Sequence, residues 1–416
     1  MTTKQYALTA LVCLALAGPC FAKGAQDAAA ADPSGLSGRL TLWIDDAEWG
    51  RRLASAFRKA HPGVRITVQQ VGSVEAAQKA ALDGPAGFGP DVFLMAQDKT
   101  AQAITDGICL ALPAELQARY ESVILEASLK IGASSGALYA VPLSTENIAF
   151  FYNKQLLGAE PVPKTFEEVI AFAQKWNKQN RYALQWEVKN GYINYFFLTA
   201  FGASLFGPAG NDYILPGWDG EEAAKGLAFH NSLRAYFPID ADSATFENTV
   251  GRFQRGEAPF TITGPWAIAE ARRNGVDFGV TKLPTIAGKQ PRCFSGNIFA
   301  AVASASQNQA AAFALLDFMV SVEGEALMYK ATGKLPAYKD ISGIPELAAD
   351  PYLAGIQEQS PFADPMPVIP EIAAIWGPLE TLFGATWNKA AAIPDAQKAA
   401  LDAYDTSLLL LGKSRK

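Results

Sequence analysis

The sequence predicts an α/β protein whose N-terminal part is built on a parallel, doubly wound sheet. Strand patterns alternate there with helix patterns, in the order of residues 39–44, 48–60, 64–71, 74–82, 91–96 and 100–106. Strands and helices that alternate at this spacing form right-handed βαβ units with parallel strands. A second α/β unit is predicted between residues 222 and 283, and a length of 416 residues is typical of about two or three domains.

The remaining segments are predicted to mix short strands with helices. We expect strands at residues 129–131, 137–141, 147–152 and 299–303. We expect helices at residues 165–179, 309–328 and 372–382, and the helical spacing of Phe246, Val250 and Phe253 predicts one more.

Composition and charge limit the possible functions. Half of the residues are hydrophobic and 18% are charged, which is sufficient for sizeable cores and unlike a disordered chain. The net charge is −6, and the sequence contains neither a basic block nor an Arg-rich helix pattern. Nucleic acid and anionic membrane surfaces are therefore not expected as partners.

The N-terminus has the pattern of a secretory signal peptide. An apolar run over residues 6–17 is followed by small residues up to Ala22, where a leader peptidase would cleave. We predict a signal peptide at residues 1–22 and a flexible leader at residues 23–37. Lipidation of Cys20 is disfavoured by the proline directly before it. Since no second apolar stretch of the sequence approaches membrane-spanning length, we expect a soluble exported protein.

Two cysteines remain after the predicted cleavage, Cys109 and Cys293. They belong to no CxxC pair, so the sequence predicts neither a zinc site nor a redox motif, and it indicates no cofactor. Export permits a disulfide between them. Two buried free thiols are the other interpretation, and it is at least as well supported.

One short segment points to a ligand site. Gly264 and Pro265 follow a strand pattern and open the next helix. This order places Trp266 at the carboxyl end of a strand, where ligands bind in open α/β sheets. A flat aromatic side chain held there suits a platform for the face of a ligand, and core packing is the alternative.

Eight motifs occur in an order and at a spacing that resemble one family. They lie at residues 42–44, 89–91, 96–99, 141–146, 152–154, 256–266, 279–284 and 366–376. On these motifs, which extend over nearly the whole exported chain, the sequence resembles the extracytoplasmic solute-binding proteins of ABC importers. Within them it is most similar to the maltose/maltodextrin-binding group.

The resemblance implies a two-lobed periplasmic-binding-protein fold of the α/β class, with a central cleft and a hinge. It implies that the chain crosses between the lobes near residues 144–146, 295–299 and 334–337. Both lobes are then discontinuous. The N-terminal lobe is predicted at residues 38–145 and 297–336, and the C-terminal lobe at residues 146–296 and 337–416.

The resemblance also implies a function. We expect a monomeric periplasmic protein that captures maltose or a maltodextrin by hinge closure and presents it to an inner-membrane ABC permease. Aromatic side chains suit the apolar faces of a pyranose, and charged groups suit its hydroxyl rim. No catalysis is expected. The alternatives are a different di- or oligosaccharide and, less favoured, a carbohydrate-active hydrolase.

The sugar contacts of the family can be carried over position by position. The polar positions that match are Asp98, Lys99 and Glu146, and the stacking positions that match are Tyr192, Trp266, Trp376 and Phe246. Other positions depart from the family. Asn190 replaces an acidic residue, Met95 an aromatic residue and Glu380 an arginine. The acid-lysine pair after the first strand is absent, and Asp45, Asp46 and Glu48 stand there instead.

Several of the predicted contacts have a structural alternative. Asp98 could cap a helix, and Glu146 could be a solvated charge at the hinge. Tyr192 and Trp376 could pack in a core, as Met95 is expected to do. The acidic residues at positions 45, 46 and 48 could be helix caps and first-turn charges. The predicted contact set nevertheless includes Asn190, Asp46, Glu48 and Glu380.

Two patterns raise the possibility of catalysis. Gly132, Ser134 and Gly136 fit the G-x-S-x-G nucleophile elbow, which needs a strand before it and a helix after it. A strand-like run follows here, so we predict a hairpin turn. Asp98 and Glu146 also form a carboxylate pair of the kind that glycosidases use, which the sequence does not directly exclude.

Overall fold

The computed structural model describes residues 35–348 and 350–415. The predicted signal peptide, Cys20 and the leader up to residue 34 lie outside the described residues. Two sheets organise the described chain. Their strands, together with one short hairpin, are β1 (Gly38–Ile44), β2 (Val64–Gln70), β3 (Val92–Ala96), β4 (Ala133–Ser134), β5 (Ala137–Leu138), β6 (Val141–Asn147), β7 (Ala149–Asn153), β8 (Leu184–Gln185), β9 (Phe260–Thr263), β10 (Phe278–Thr281), β11 (Cys293–Val302), β12 (Leu335–Pro336) and β13 (Ala363–Pro365).

Helices pack against both sheets. The α-helices are α1 (Ala47–Ala60), α2 (Ala76–Asp83), α3 (Gln97–Thr105), α4 (Ala114–Val123), α5 (Glu126–Ile131), α6 (Lys154–Leu157), α7 (Phe166–Trp176), α8 (Gly191–Thr199), α9 (Glu221–Ser232), α10 (Val250–Gln254), α11 (Ile268–Arg273), α12 (Gln309–Val320), α13 (Val322–Thr332), α14 (Pro345–Ala348), α15 (Pro351–Gln359), α16 (Trp376–Trp387) and α17 (Ile393–Leu410). Short 3-10 helices lie at Leu233–Ala235, Pro265–Ala267, Ser360–Phe362 and Pro370–Ala374.

The larger sheet has the strand order β12-β6-β11-β3-β1-β2, with β13 paired to β11. β1 lies between β2 and β3 and is parallel to both, which confirms the predicted βαβ units. β11 is antiparallel to β3 and to β6, so the sheet as a whole is mixed and not parallel throughout. We call the lobe built on this sheet the N-lobe.

The smaller sheet has the order β10-β7-β9-β8 and has its own hydrophobic core. Phe150 and Phe260 pack in that core with Trp186, away from the core of the N-lobe. We call this second lobe the C-lobe. The chain is therefore two-lobed, as predicted.

Two adjacent strands carry the chain between the lobes. Val141 of β6 packs in the N-lobe core, whereas Ile148 directly after β6 packs in the C-lobe core. In β11, Cys293 packs in the C-lobe core and Val302 packs in the N-lobe core. β12 pairs with β6 beside this passage. Ala337 packs in the N-lobe core, and the predicted third crossing at residues 334–337 stays a prediction.

Several predicted elements differ in the structure. Residues 129–131 lie in α5, because so short an apolar pattern cannot distinguish a strand from a helix. The helix predicted at residues 309–328 is interrupted at Ser321, where the backbone is extended (ψ 160°) and the side chain caps α13 by accepting from the backbone N–H of Gly324. The helix predicted around Phe246 begins only at Val250.

Candidate functional site

A cleft of about 800 Å³ lies between the two lobes. This volume is in the range that proteins use to bind small molecules. Most of the predicted contacts line the cleft, and these residues are Asp98, Lys99, Glu146, Asn190, Tyr192, Phe246, Trp266, Trp376 and Glu380.

An aromatic wall forms the C-lobe side of the cleft. It consists of Tyr192, Trp266 and Trp376, with Phe246 nearby in the lining. The centroid of the Tyr192 ring lies 6.3 Å from that of each indole, and the rings are tilted relative to one another. All three side chains are half-buried, so each is supported from behind and still lines the cleft. Core packing alone does not describe Trp266 or Trp376.

Local motifs position two of these rings. A Cβ atom at Gly264 would lie 2.1 Å from Cζ3 of Trp266, so the indole can fold back over this turn only because residue 264 is glycine. The Asn190 side chain accepts hydrogen bonds from the backbone N–H groups of Tyr192 (3.0 Å) and Ile193 (3.2 Å). This cap fixes the start of α8 and hence the place of Tyr192.

Asp98 lies on the N-lobe side and contacts both a lysine and the aromatic wall. Its Oδ2 accepts a hydrogen bond from Trp376 Nε1 at 2.8 Å and lies 2.7 Å from Lys99 Nζ. Ala96 is the N-cap residue of α3, and Asp98 lies inside the first turn. The capping alternative for Asp98 is therefore wrong. The bond to Trp376 spans the two lobes.

Glu146 is part of a buried ion-pair network at the floor of the cleft. Ser144 Oγ donates to its Oε1 at 2.9 Å, and Lys334 Nζ lies 3.3 Å from the same oxygen. Lys334 Nζ also lies 2.6 Å from Oδ2 of Asp45. Burial alone would lower the pKa of Lys334, but the two carboxylates outweigh burial and raise this pKa above its ordinary value. Glu146 is buried, so it is not a solvated hinge charge.

An amide network completes the floor. The Gln97 side chain donates to the backbone carbonyl of Met366 at 2.8 Å. Its Oε1 accepts from the backbone N–H of Asn297 at 3.1 Å and from the Asn297 side chain at 2.9 Å. The two residues are 200 positions apart. Gln97, Asn297, Asp45 and Lys334 line the cleft but were not among the predicted contacts. No local sequence pattern distinguishes Lys334 or Asn297, whereas Gln97 lies in the motif at residues 96–99.

Charged residues lie at one end of the cleft. Lys189 Nζ is 3.0 Å from Asp242 Oδ1 and 3.2 Å from Glu380 Oε1. Glu380 is therefore held by a lysine beside the cleft. Glu187 accepts a hydrogen bond from Asn190 Nδ2, and burial raises the pKa of Glu187 above its ordinary value. This end of the cleft is more acidic and more exposed than the floor.

Asp46 and Glu48 do not line the cleft. The Asp46 carboxylate caps α1 by accepting from the backbone N–H of Trp49 at 2.7 Å. Glu48 pairs with Arg52 one turn later and lies 3.5 Å from Arg273 of the C-lobe. Both carboxylates are thus engaged as a cap and as a surface ion pair, and their direct contact with a ligand finds no support here. Asp45 is the acidic residue of this segment in the lining.

Several residues outside the cleft clarify the other predictions. Met95 packs in an N-lobe core cluster, as expected. Cys109 and Cys293 are buried free thiols in different clusters, and burial raises the pKa of each to about 12. The described residues contain no cluster of acidic, histidine or cysteine side chains suited to a metal ion.

The two catalytic alternatives find little support in the geometry. Ala133 and Ser134 pair with Leu138 and Ala137 in an antiparallel hairpin, and Ser135 and Gly136 have φ angles of 51° and 81° at its turn. The hairpin prediction is confirmed, and the strand–turn–helix of a nucleophile elbow is not formed. In the carboxylate pair, each member contacts a lysine, whereas glycoside hydrolysis needs one of the two as a proton donor.

The fold agrees with comparisons to known proteins. Residues 44–326 match the family described as bacterial extracellular solute-binding protein. The chain belongs to this family. It is a family of exported binding proteins and not one of enzymes. In the described ranges, no helix has the length and apolar character needed to span a membrane.

Individual relatives resemble the chain over most of its length. The galactooligosaccharide-binding protein of Bacillus subtilis is 28% identical over 89% of this chain and 90% of its own. The maltotriose-binding protein of Pyrococcus abyssi is 30% identical over 82% of this chain and 76% of its own. The Thermus thermophilus maltotriose binding protein, solved with maltotriose bound, superposes with a TM-score of 0.80 at 24% identity over 88% and 98% of the two chains. This structural match confirms the two-lobed fold.

Proposed function

We propose that the protein captures a maltodextrin-type oligosaccharide in the cleft and delivers it to an ABC permease in the inner membrane. The observation that carries the proposal is the pairing of an aromatic wall with charged hydrogen-bonding groups across one cleft. The wall suits the apolar faces of pyranose rings, and the carboxylates of Asp98, Glu146 and Asp45 suit their hydroxyl groups. A ligand that contacts both lobes stabilises the closed state, because it binds that state more tightly.

The relatives support an oligosaccharide over other solutes. Proteins named for maltotriose and maltooligosaccharide binding match most of this chain. Positive and negative side chains pair with each other in the floor, which also favours a neutral ligand. A charged ligand would require a site with one dominant sign of charge. We further propose that the protein acts as a monomer in the periplasm after cleavage near Ala22, and that it catalyses no reaction.

A galactooligosaccharide is the second candidate. The relative from Bacillus subtilis that is named for this ligand covers more of the chain than the Pyrococcus protein does. At the acidic end of the cleft, Glu380 and Asp242 surround Lys189. The hydroxyl groups of a galactooligosaccharide would meet these polar groups in another arrangement than those of a maltodextrin.

Calorimetry of the exported form tests both candidates. The titrants are maltose, maltotriose, maltotetraose and a galactooligosaccharide, with cellobiose as a β-linked glucose control. We expect the maltodextrins to bind most tightly. Preference for the galactooligosaccharide would replace the first candidate with the second, and binding of none would refute both. Incubation with maltotetraose should release no shorter sugar, and turnover would contradict the binding role.

A further inference from the structure

Lys334 is buried at the floor of the cleft, where its side chain is only 6% exposed. Burying a charge is costly unless partners compensate it, so its partners define its role. They are Asp45 at 2.6 Å and Glu146 at 3.3 Å. Both carboxylates line the cleft, as Lys334 does. The network therefore belongs to the binding surface and not only to the core.

The three members of this network come from separate parts of the fold. Asp45 directly follows β1, Glu146 lies in β6 and Lys334 directly precedes β12. Asp45 and Lys334 are 289 positions apart. One ammonium group thus joins the end of an N-lobe strand to a strand that passes between the lobes.

The turn before Lys334 is fitted against the C-lobe. Gly333 has a φ of 77°, in the left-handed region that favours glycine. A Cβ atom there would lie 3.0 Å from Cβ of Ile268 and 3.5 Å from the carbonyl oxygen of Pro265. Pro265 and Ile268 flank Trp266 in the chain. The backbone that carries Lys334 is therefore packed against the segment that carries the aromatic platform.

The carboxylates are oriented by these contacts. Lys334 takes Oδ2 of Asp45, and Oδ1 is buried without a hydrogen-bond partner in the described part of the chain. Lys334 and Ser144 both contact Oε1 of Glu146. An unpaired buried acceptor costs free energy, so the charge of Lys334 on Oδ2 is what compensates the Asp45 carboxylate.

We propose that Lys334 is a positioning residue of the sugar site, which orients Asp45 and Glu146 for ligand hydroxyls and ties the floor of the cleft to the Trp266 turn. The nature of the ligand in this statement rests on the proposed function. Lys334 acts through the two carboxylates, and the preceding residue Gly333 packs against the C-lobe segment that carries Trp266.

Three substitutions test this role. Lys334→Met removes the charge and keeps most of the side-chain length, and Lys334→Arg keeps the charge. Lys398→Met is the matched control, because Lys398 pairs with Asp402 on the exposed face of α17, remote from the cleft. Affinity is measured by calorimetry for whichever sugar of the panel the wild type binds. Lys334→Gln, which keeps a hydrogen-bond donor, replaces the methionine variant if that variant does not fold.

A second measurement needs no sugar. Spin labels on cysteines introduced at Lys59 of α1 and Lys225 of α9 report the distance between the lobes, since both positions are exposed and the native cysteines are buried. We expect Lys334→Met to broaden the distance distribution of the ligand-free protein. The Lys398→Met control should match the wild type.

In the binding measurement, we expect Lys334→Met to weaken affinity about thirtyfold or more, because the buried Glu146 and the half-buried Asp45 lose their cation. Lys334→Arg should recover most of this loss, which a purely space-filling role would not explain. Unchanged affinity of Lys334→Met, or a distance distribution like that of the wild type, would overturn the proposal. A wild type that binds no panel sugar refutes the proposed function instead, and the spin-label measurement then decides this proposal alone.

Discussion

The two sides of the cleft are built differently. On the C-lobe side, separate local motifs position individual rings, as Gly264 does for Trp266 and Asn190 for Tyr192. On the N-lobe side and the floor, charged groups depend on partners from distant segments, as Lys334 does on Asp45 and Glu146. We infer that aromatic contacts can be removed one at a time, whereas a change in one floor residue alters its partners as well.

On the aromatic side, the largest expected effect is that of Trp266. Trp266→Ala should weaken sugar binding about tenfold or more with little loss of stability, because a half-buried ring at the ligand face contributes about 1–3 kcal/mol. Calorimetry and thermal unfolding measure the two quantities separately. Trp266→Phe is the control, since it retains a flat face and should keep most of the affinity. A large loss of stability with unchanged affinity would assign Trp266 to the core.

Within the described ranges, Glu325 is a buried carboxylate without a cation, in contrast to Glu146 of the floor, which contacts Lys334. Glu325 of α13 is fully buried, and neither of its oxygens has a hydrogen-bond partner among the described residues. Burial raises the pKa of Glu325 well above its ordinary value. The unfolded chain therefore releases this proton at a lower pH than the folded protein, and stability falls as the pH rises above about 4.5.

Replacing this residue should therefore stabilise the protein. We expect Glu325→Met to raise the free energy of unfolding by about 1–3 kcal/mol at pH 7, and by less at pH 4. Denaturant unfolding at both pH values measures the difference. Equal gains at the two values would contradict a carboxyl that titrates on unfolding.

Trp376 belongs to both sides, because its ring lies in the aromatic wall and its N–H reaches Asp98 across the cleft. Trp376→Phe keeps a ring and removes this hydrogen bond. We expect affinity to fall about fivefold, less than for Trp266→Ala, because Lys99 still contacts Asp98. Calorimetry with the preferred sugar measures the affinity of the Trp376→Phe variant. A loss as large as that of Trp266→Ala would show that the two sides are coupled more tightly than their contacts indicate.

The smallest expected effect concerns the exposed ion pair between Glu48 and Arg273, which joins α1 of the N-lobe to α11 of the C-lobe. Arg273→Ala should weaken sugar binding about twofold by making the closed arrangement less favourable. A double-mutant cycle with Glu48→Ala isolates the coupling energy of the pair. This coupling should disappear in 1 M salt, where the Debye length is only about 3 Å. A coupling that persists in salt would contradict an exposed ion pair.

The sequence predicted the aromatic side better than the floor. The strand, the Gly264-Pro265 turn and Trp266 are neighbours in the chain, so their order alone placed the indole at a strand end. The partners of Lys334 and Asn297 include residues 289 and 200 positions away, which no local pattern reveals. The resemblance supplied Glu146 but not the lysine that holds it.

Local chemistry explains the roles of Asp46 and Glu48 in the structure, while their contact with a ligand stays a prediction. An aspartate directly before a helix is a preferred cap, and an acidic residue four positions before Arg52 forms a helical ion pair. The interruption at Ser321 was missed because the apolar pattern continues across it, whereas the serine side chain offers α13 a new start.

The position of Glu146 in β6 makes the site sensitive to deletions within this strand. Side chains alternate between the two faces of a strand, so Ser144 and Glu146 share one face and Thr145 points to the other. β6 is hydrogen-bonded on both edges, to β11 and to β12. Deleting Thr145 would place Ser144 and Glu146 on opposite faces of the strand. The carboxylate would then leave the cleft although no binding residue had been replaced, so short deletions in β6 should abolish binding as completely as any substitution.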